Sequence, residues 1–185
     1  ELTLGERAEL NHYTFQEEGP AAIHIAATAL KLASEASYGG FVLQSGSLIG
    51  RSETRAVLSG SGADCRFDGI YLGTGSQVLD NTIYVEHAAT GCHSRQVYKG
   101  VLDGRARGVF QGKIHVRRGA QQTDGYQLSR TLLLSPRAEI DTRPELEIYA
   151  DDVKCSHGAT AGELDDDAMF YLMSRGISAD AARRI

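Results

Sequence analysis

Cys155 and His157 are the two residues of this chain best placed to do chemistry together. They stand two positions apart in Ala150-Asp-Asp-Val-Lys-Cys-Ser-His-Gly-Ala-Thr160. In an extended strand, residues i and i+2 point to one face, roughly 6.5–7 Å apart. A thiol and an imidazole on one face can address one metal ion or one partner surface. Val153 would share that face, and Lys154 and Ser156 would take the other. A metal such as zinc normally takes four ligands drawn from thiolate and imidazole. The pair is therefore a half-site, which is how a site shared between two chains looks from one of them. The competing reading is two packed or hydrogen-bonded residues of a terminal strand.

Other candidates are weaker. Asp151 and Asp152 are adjacent, face opposite ways on a strand, and suit a turn or a covered edge better than a carboxylate pair. Glu86-His87 and Cys92-His93 are also sequence neighbours that diverge on a strand, and no C-x₂-C partner accompanies them. Cys65 reads as a buried apolar residue. Gly73-Thr-Gly75 lacks the third glycine and the helix of a phosphate loop, so it reads as a corner.

The elements that must position the pair show a repeat. Apolar groups start at Phe41, Ile70, Val101 and Leu132, which are 29, 31 and 31 residues apart. A second series starts at Val57, Ile83, Ile114 and Leu146, at spacings of 26, 31 and 32. Earlier segments, Leu2–Leu4 and Asn11–Gln16, also read as strands; Ala21–Leu32 fits a helix or a strand, with strand favoured. Two short strands per repeat, separated by Gly, Asp, Ser and Asn, describe a β-solenoid whose coils bury their apolar faces by stacking. A sandwich of short strands is the alternative. Gly60, Gly62, Gly73, Gly75, Gly104, Gly108 and Gly119 are expected at corners, where φ can be positive.

After Thr160 the pattern changes. Glu163 to Gly176 reads as an amphipathic helix with Leu164, Ala168, Tyr171 and Leu172 on one face. Arg175 and Gly176 would end it, and Ser178 would cap a second helix. The expected organisation is a core over residues 1–160 and the start of a helical domain over 161–185. The absence of an initiator Met and the abrupt last residue suggest a piece of a longer protein.

At 185 residues the chain is long enough for its own core. Three irregularly spaced cysteines do not make a disulfide framework and suit a reducing compartment. Net charge is −5, which gives no general electrostatic case for nucleic acid. The basic runs Arg105-Ala-Arg107 and Arg117-Arg118 read as solvated edges. No run of about 18 apolar residues predicts a membrane span.

The sequence resembles the SufB/SufD family of the SUF iron–sulfur cluster assembly system, and within it the SufD branch. The resemblance runs through Leu72-Gly-Thr-Gly-Ser-Gln77, Glu86-His-Ala-Ala89, Tyr98-Lys-Gly-Val101, Arg107-Gly-Val-Phe110 and Leu132-Leu-Leu-Ser135. It is strongest from Leu146 to Thr160 and continues in Ser174-Arg-Gly-Ile177. It implies a right-handed parallel β-helix core, mainly β, with a C-terminal helical segment. It implies pairing with a SufB-like subunit and a SufC-like ATPase, and no catalytic activity of its own. His157 matches a histidine that faces the subunit interface and is implicated in building the nascent cluster. Cys155 belongs to the SufD version of that motif. Ser129, or a neighbour, stands where SufB carries its cysteine.

The expected cofactor is thus a transient iron–sulfur cluster or metal ion shared with a partner subunit, with none permanently bound. The expected location is the cytoplasm, or the plastid stroma for a plant protein. Membranes and nucleic acid are not expected partners. An exposed last strand could take up another chain by strand addition, and a homodimer remains open for this piece. The repeat alone also leaves open a β-helix carbohydrate-active enzyme, although no row of carboxylates supports it, and a purely structural solenoid.

Overall fold

The computed structural model describes residues 1–183. Twelve strands run β1 (Leu2–Leu4), β2 (Glu9–Gln16), β3 (Ile23–Leu32), β4 (Ser37–Gln44), β5 (Ile49–Leu58), β6 (Asp64–Gly73), β7 (Val78–His87), β8 (His93–Leu102), β9 (Arg107–Val116), β10 (Thr123–Leu133), β11 (Glu139–Ile148) and β12 (Val153–Glu163). The odd-numbered strands form one sheet in the order β1-β3-β5-β7-β9-β11, and the even-numbered strands form another. Paired strands are parallel throughout. Each odd–even pair is one coil, and six coils stack into a two-walled β-solenoid. The sandwich alternative is set aside, because sequential strands lie in opposite walls and pair with the strand one coil away.

Alternation along each strand builds the walls. In β7, Leu79, Asn81, Ile83, Val85 and His87 are buried while the residues between them are partly exposed. Register then stacks inward position on inward position: Leu58 pairs with His87, and His87 with Val116, all three buried. Aromatic rings fill the lumen in tilted pairs, Tyr38 with Phe67 at 5.5 Å and Tyr98 with Phe110 at 5.2 Å between centroids. Tyr71 leans across the next coil, where a Cβ on Gly100 would collide with its ring. Its hydroxyl lies 2.6 Å from Thr131 Oγ1.

The turns between odd and even strands form a hydrogen-bonded column. Backbone N–H groups of Arg7, Glu35, Gly62, Gly91 and Gln122 donate to Ser34, Ser61, Thr90, Gln121 and Asp152 in the following turn. All five donors have φ between 57° and 70°. Among the glycines expected to need such angles, Gly62, Gly75 and Gly104 have them. Gly60, Gly73, Gly108 and Gly119 do not, which corrects the sequence reading. Gly108 lies within β9, where a Cβ would press on Tyr71, Leu102 and Ile140. Gly60 allows close approach to the Ser34 backbone. At those two positions the missing side chain supplies room, not backbone freedom.

The strand-to-helix change also falls later than expected. β12 continues to Glu163, and α1 (Asp166–Ser174) begins after the Asp165 N-cap, which accepts from the Ala168 N–H at 2.8 Å. Leu164 therefore precedes the helix. None of the α1 residues is fully buried; of the expected apolar stripe, Leu164 and Leu172 are half-buried and Ala168 and Tyr171 are exposed. Gly176, at φ 84°, follows the Arg175 C-cap, and Ser178 caps α2 (Ala179–Ala182). Among the described residues no helix is long and apolar enough to cross a membrane.

Candidate functional site

The last coil, β11 and β12, leaves the solenoid open at one end. β12 pairs only with β10, and β11 only with β9. The register sets Cys155 beside Gly125, His157 beside Gln127 and Ala159 beside Ser129. Gly125, Gln127 and Ser129 belong to the buried set of β10, so Cys155 and His157 face the lumen side. Lys154 and Ser156 face out and are exposed. This is the face assignment that the i, i+2 spacing implied.

The two side chains differ in environment. Cys155 is half-buried against a small apolar cluster of Ile114, Val116, Ala120, Ala150, Leu146 and Val153. That burial pushes its thiol pKa up, and the Asp124 charge adds to the shift, while a hydrogen bond from the Gly125 backbone opposes it. The thiol is therefore protonated at neutral pH. His157 is exposed, because no further coil covers the lumen above it. Among the described residues no group of three or more His, Cys, Asp or Glu side chains is arranged to hold a metal ion. What this chain offers is two donors on one face of an edge strand.

The two terminal edges are unlike. β11 carries Glu139, Asp141, Arg143, Glu145 and Glu147 on its outer face and Pro144 within it. Lys113 ties Glu145 at 2.8 Å and Glu147 at 2.5 Å. Charge and proline on an edge discourage strand addition. From Ser156 to Gly162, β12 has only small side chains apart from His157, and no charged group other than that imidazole when protonated.

The weaker candidates separate as expected. Glu86 faces out to Arg117, while His87 is fully buried with Nε2 2.8 Å from Ser94 Oγ. Burial lowers the His87 pKa to about 4, with nearby His93 adding to the shift. Cys92 is buried and its thiol donates to the Gly60 carbonyl at 3.3 Å; His93 is exposed. Cys65 is buried and its thiol pKa is driven well up by burial. Asp152 belongs to the turn column, and Gly75 accepts from the Arg105 N–H at 2.7 Å in a corner.

Sequence reasoning missed the polar lumen. Gln16, Gln44, Asn81, Gln96, Gln127 and Ser129 are all buried. Their signal was present, since each falls on an inward position of a strand whose alternation is legible. Glutamine, however, usually marks an exposed position.

These features define a class: a parallel β-solenoid with its donors at an open edge. The chain belongs to the family described as SUF system FeS cluster assembly, SufBD core domain, which matches residues 1–185. It is 38% identical over 184 residues to the iron–sulfur cluster assembly protein SufD of Escherichia coli, covering 100% of this chain and 44% of that protein. It is 36% identical over 187 residues to an iron–sulfur cluster assembly SufBD family protein of Synechocystis, again covering 100% of this chain and 41% of the relative. It is 35% identical over 187 residues to Protein ABCI7, chloroplastic, of Arabidopsis thaliana, covering 100% of this chain and 39% of the relative. The chain thus spans less than half the length of these relatives.

Proposed function

We propose that this chain is the core of a SufD-like scaffold subunit for iron–sulfur cluster assembly. It pairs with a SufB-like subunit at the open end of the solenoid and works alongside a SufC-like ATPase. Cys155 and His157 contribute part of a ligand set for an iron ion or nascent cluster, which is cargo of the assembly and not a resident cofactor. The subunit positions the cargo and does no catalysis itself. It works in the cytoplasm, or in the plastid stroma in a plant.

One observation carries the reading: an exposed imidazole on the lumen face of an edge strand that has no proline and, from Ser156 to Gly162, no charge on its outer side to block a second chain. Strand addition there would bring a partner's side chains over the same lumen, where missing ligands could come from. The incomplete donor set supports a shared site in preference to a self-sufficient one. The test is His157→Ala in the assembled complex, with iron and acid-labile sulfide measured after reconstitution. Loss of cluster with the complex intact is the expected result. An unchanged cluster yield excludes His157 from the site.

A further inference from the structure

The residue beneath His157 carries an unanswered hydrogen-bond acceptor. Gln127 is fully buried in β10, in register with His157 on one side and Gln96 on the other. Its Nε2 donates to Gln96 Oε1 at 2.8 Å, one coil back. Its Oε1 is sealed from solvent and has no partner among the described residues. In a primary amide, oxygen and nitrogen diverge from one carbon. With the nitrogen held by Gln96, the oxygen is directed away from that bond, and the next strand in register on the other side is the one that carries His157. Gly112, on the opposite wall, makes room for this amide, since a Cβ there would collide with the Gln127 nitrogen.

We propose that Gln127 is a positioning residue: its Oε1 accepts the N–H of one ring nitrogen of His157, fixing the ring and leaving the other nitrogen's lone pair for the cargo iron. This rests on the reading of His157 as a ligand. Buried acceptors are nearly always satisfied, and the register partner of Gln127 on β12 is His157, whose imidazole carries an N–H donor. A ligating histidine almost always donates its second ring N–H to a fixed acceptor, which decides the tautomer and aims the lone pair. The glutamine pair is then the inner part of a line of hydrogen bonds that ends at the open face.

The test reads the tautomer directly. The full chain is labelled with 15N, and long-range proton–nitrogen spectra of His157 are recorded at a pH where the ring is neutral, for the natural protein and Gln127→Leu. The expected result is one tautomer in the natural protein and a mixture in Gln127→Leu. A mixture in the natural protein overturns the proposal, as does a single tautomer that survives in a folded Gln127→Leu. Should Gln127→Leu fail to fold, Gln127→Met serves as the second variant, and the natural protein's spectrum alone can still overturn the proposal. In Gln127→Leu, Zn2+ affinity read through the His157 signals is expected to fall about tenfold or more; unchanged affinity overturns the positioning role. A locked tautomer combined with unchanged cluster yield in His157→Ala would sink the cluster reading and leave the Gln127–His157 bond standing. Cluster loss in His157→Ala with a free tautomer mixture would sink this inference alone.

Discussion

Cys155 stands against Gly125: a Cβ built on Gly125 would lie 3.3 Å from the Cys155 sulfur. The empty position in β10 gives the thiol its place in the lumen, half covered and backed by Ile114. Nothing comparable shields His157, one alternation further along the same strand. The two donors therefore differ in access, although they share a face.

That difference is measurable with a thiol reagent. Cys65 and Cys92 are buried, so native protein should expose one reacting thiol, Cys155, against three after denaturation. Because its pKa is raised by burial, the thiolate fraction near pH 8 is below that of a free cysteine, and labelling should be slower than for a model thiol. The rate should climb as pH passes the ordinary thiol range. Two native thiols reacting at equal rates would contradict the burial of Cys92 and Cys65.

His157→Ala should leave the fold intact. The side chain is exposed, so the loss is confined to its proposed hydrogen bond with Gln127, about 0.5–1.5 kcal/mol. A urea midpoint lowered by no more than that shows a folded variant, so any loss of cluster reports on the ligand and not on folding.

Gly100→Ala should be costly and Gly162→Ala should not. The first places a Cβ in the Tyr71 ring and disturbs the Tyr71–Thr131 contact. Overpacking of this kind costs about 1–3 kcal/mol. A Cβ on Gly162 meets nothing within 4 Å. Urea unfolding of both variants compares them, and equal midpoints would contradict the lumen packing.

His87 should make the fold acid-sensitive. Its folded pKa is near 4, below the ordinary value of 6.5, so the unfolded chain binds the extra proton first. The contribution is whole above about pH 6.5 and is lost as pH falls toward 4. Fully expressed, a shift of that size amounts to about 3 kcal/mol. Urea unfolding at pH 7 and pH 5 should show a larger acid loss in the natural chain than in His87→Gln. Equal losses would place the acid sensitivity elsewhere.

The solenoid was legible because Phe41, Ile70, Val101 and Leu132 mark the even wall and Val57, Ile83, Ile114 and Leu146 the odd wall at nearly constant spacing. The corners were less legible. Arg7, Glu35 and Gln122 hold positive φ without glycine, and the column of turn hydrogen bonds they share runs between residues about thirty apart. Gly108 misled because space in a lumen and freedom in a turn both select glycine. Cys155 and His157 were found by spacing along one strand. Gln127 was not, because its importance lies in the register between β10 and β12, which no local pattern encodes.

The left-handed positions of the turn column, Arg7, Glu35, Gly62, Gly91 and Gln122, are 28, 27, 29 and 31 residues apart, yet the walls keep unbroken pairing. Differences in coil length are therefore absorbed outside the paired ladders, where no side chain has to change sides. A reporter peptide grafted between Asp103 and Ala106 would extend into solvent and spare both walls. A single residue added inside β7 would send Ile83 and Val85 outward together.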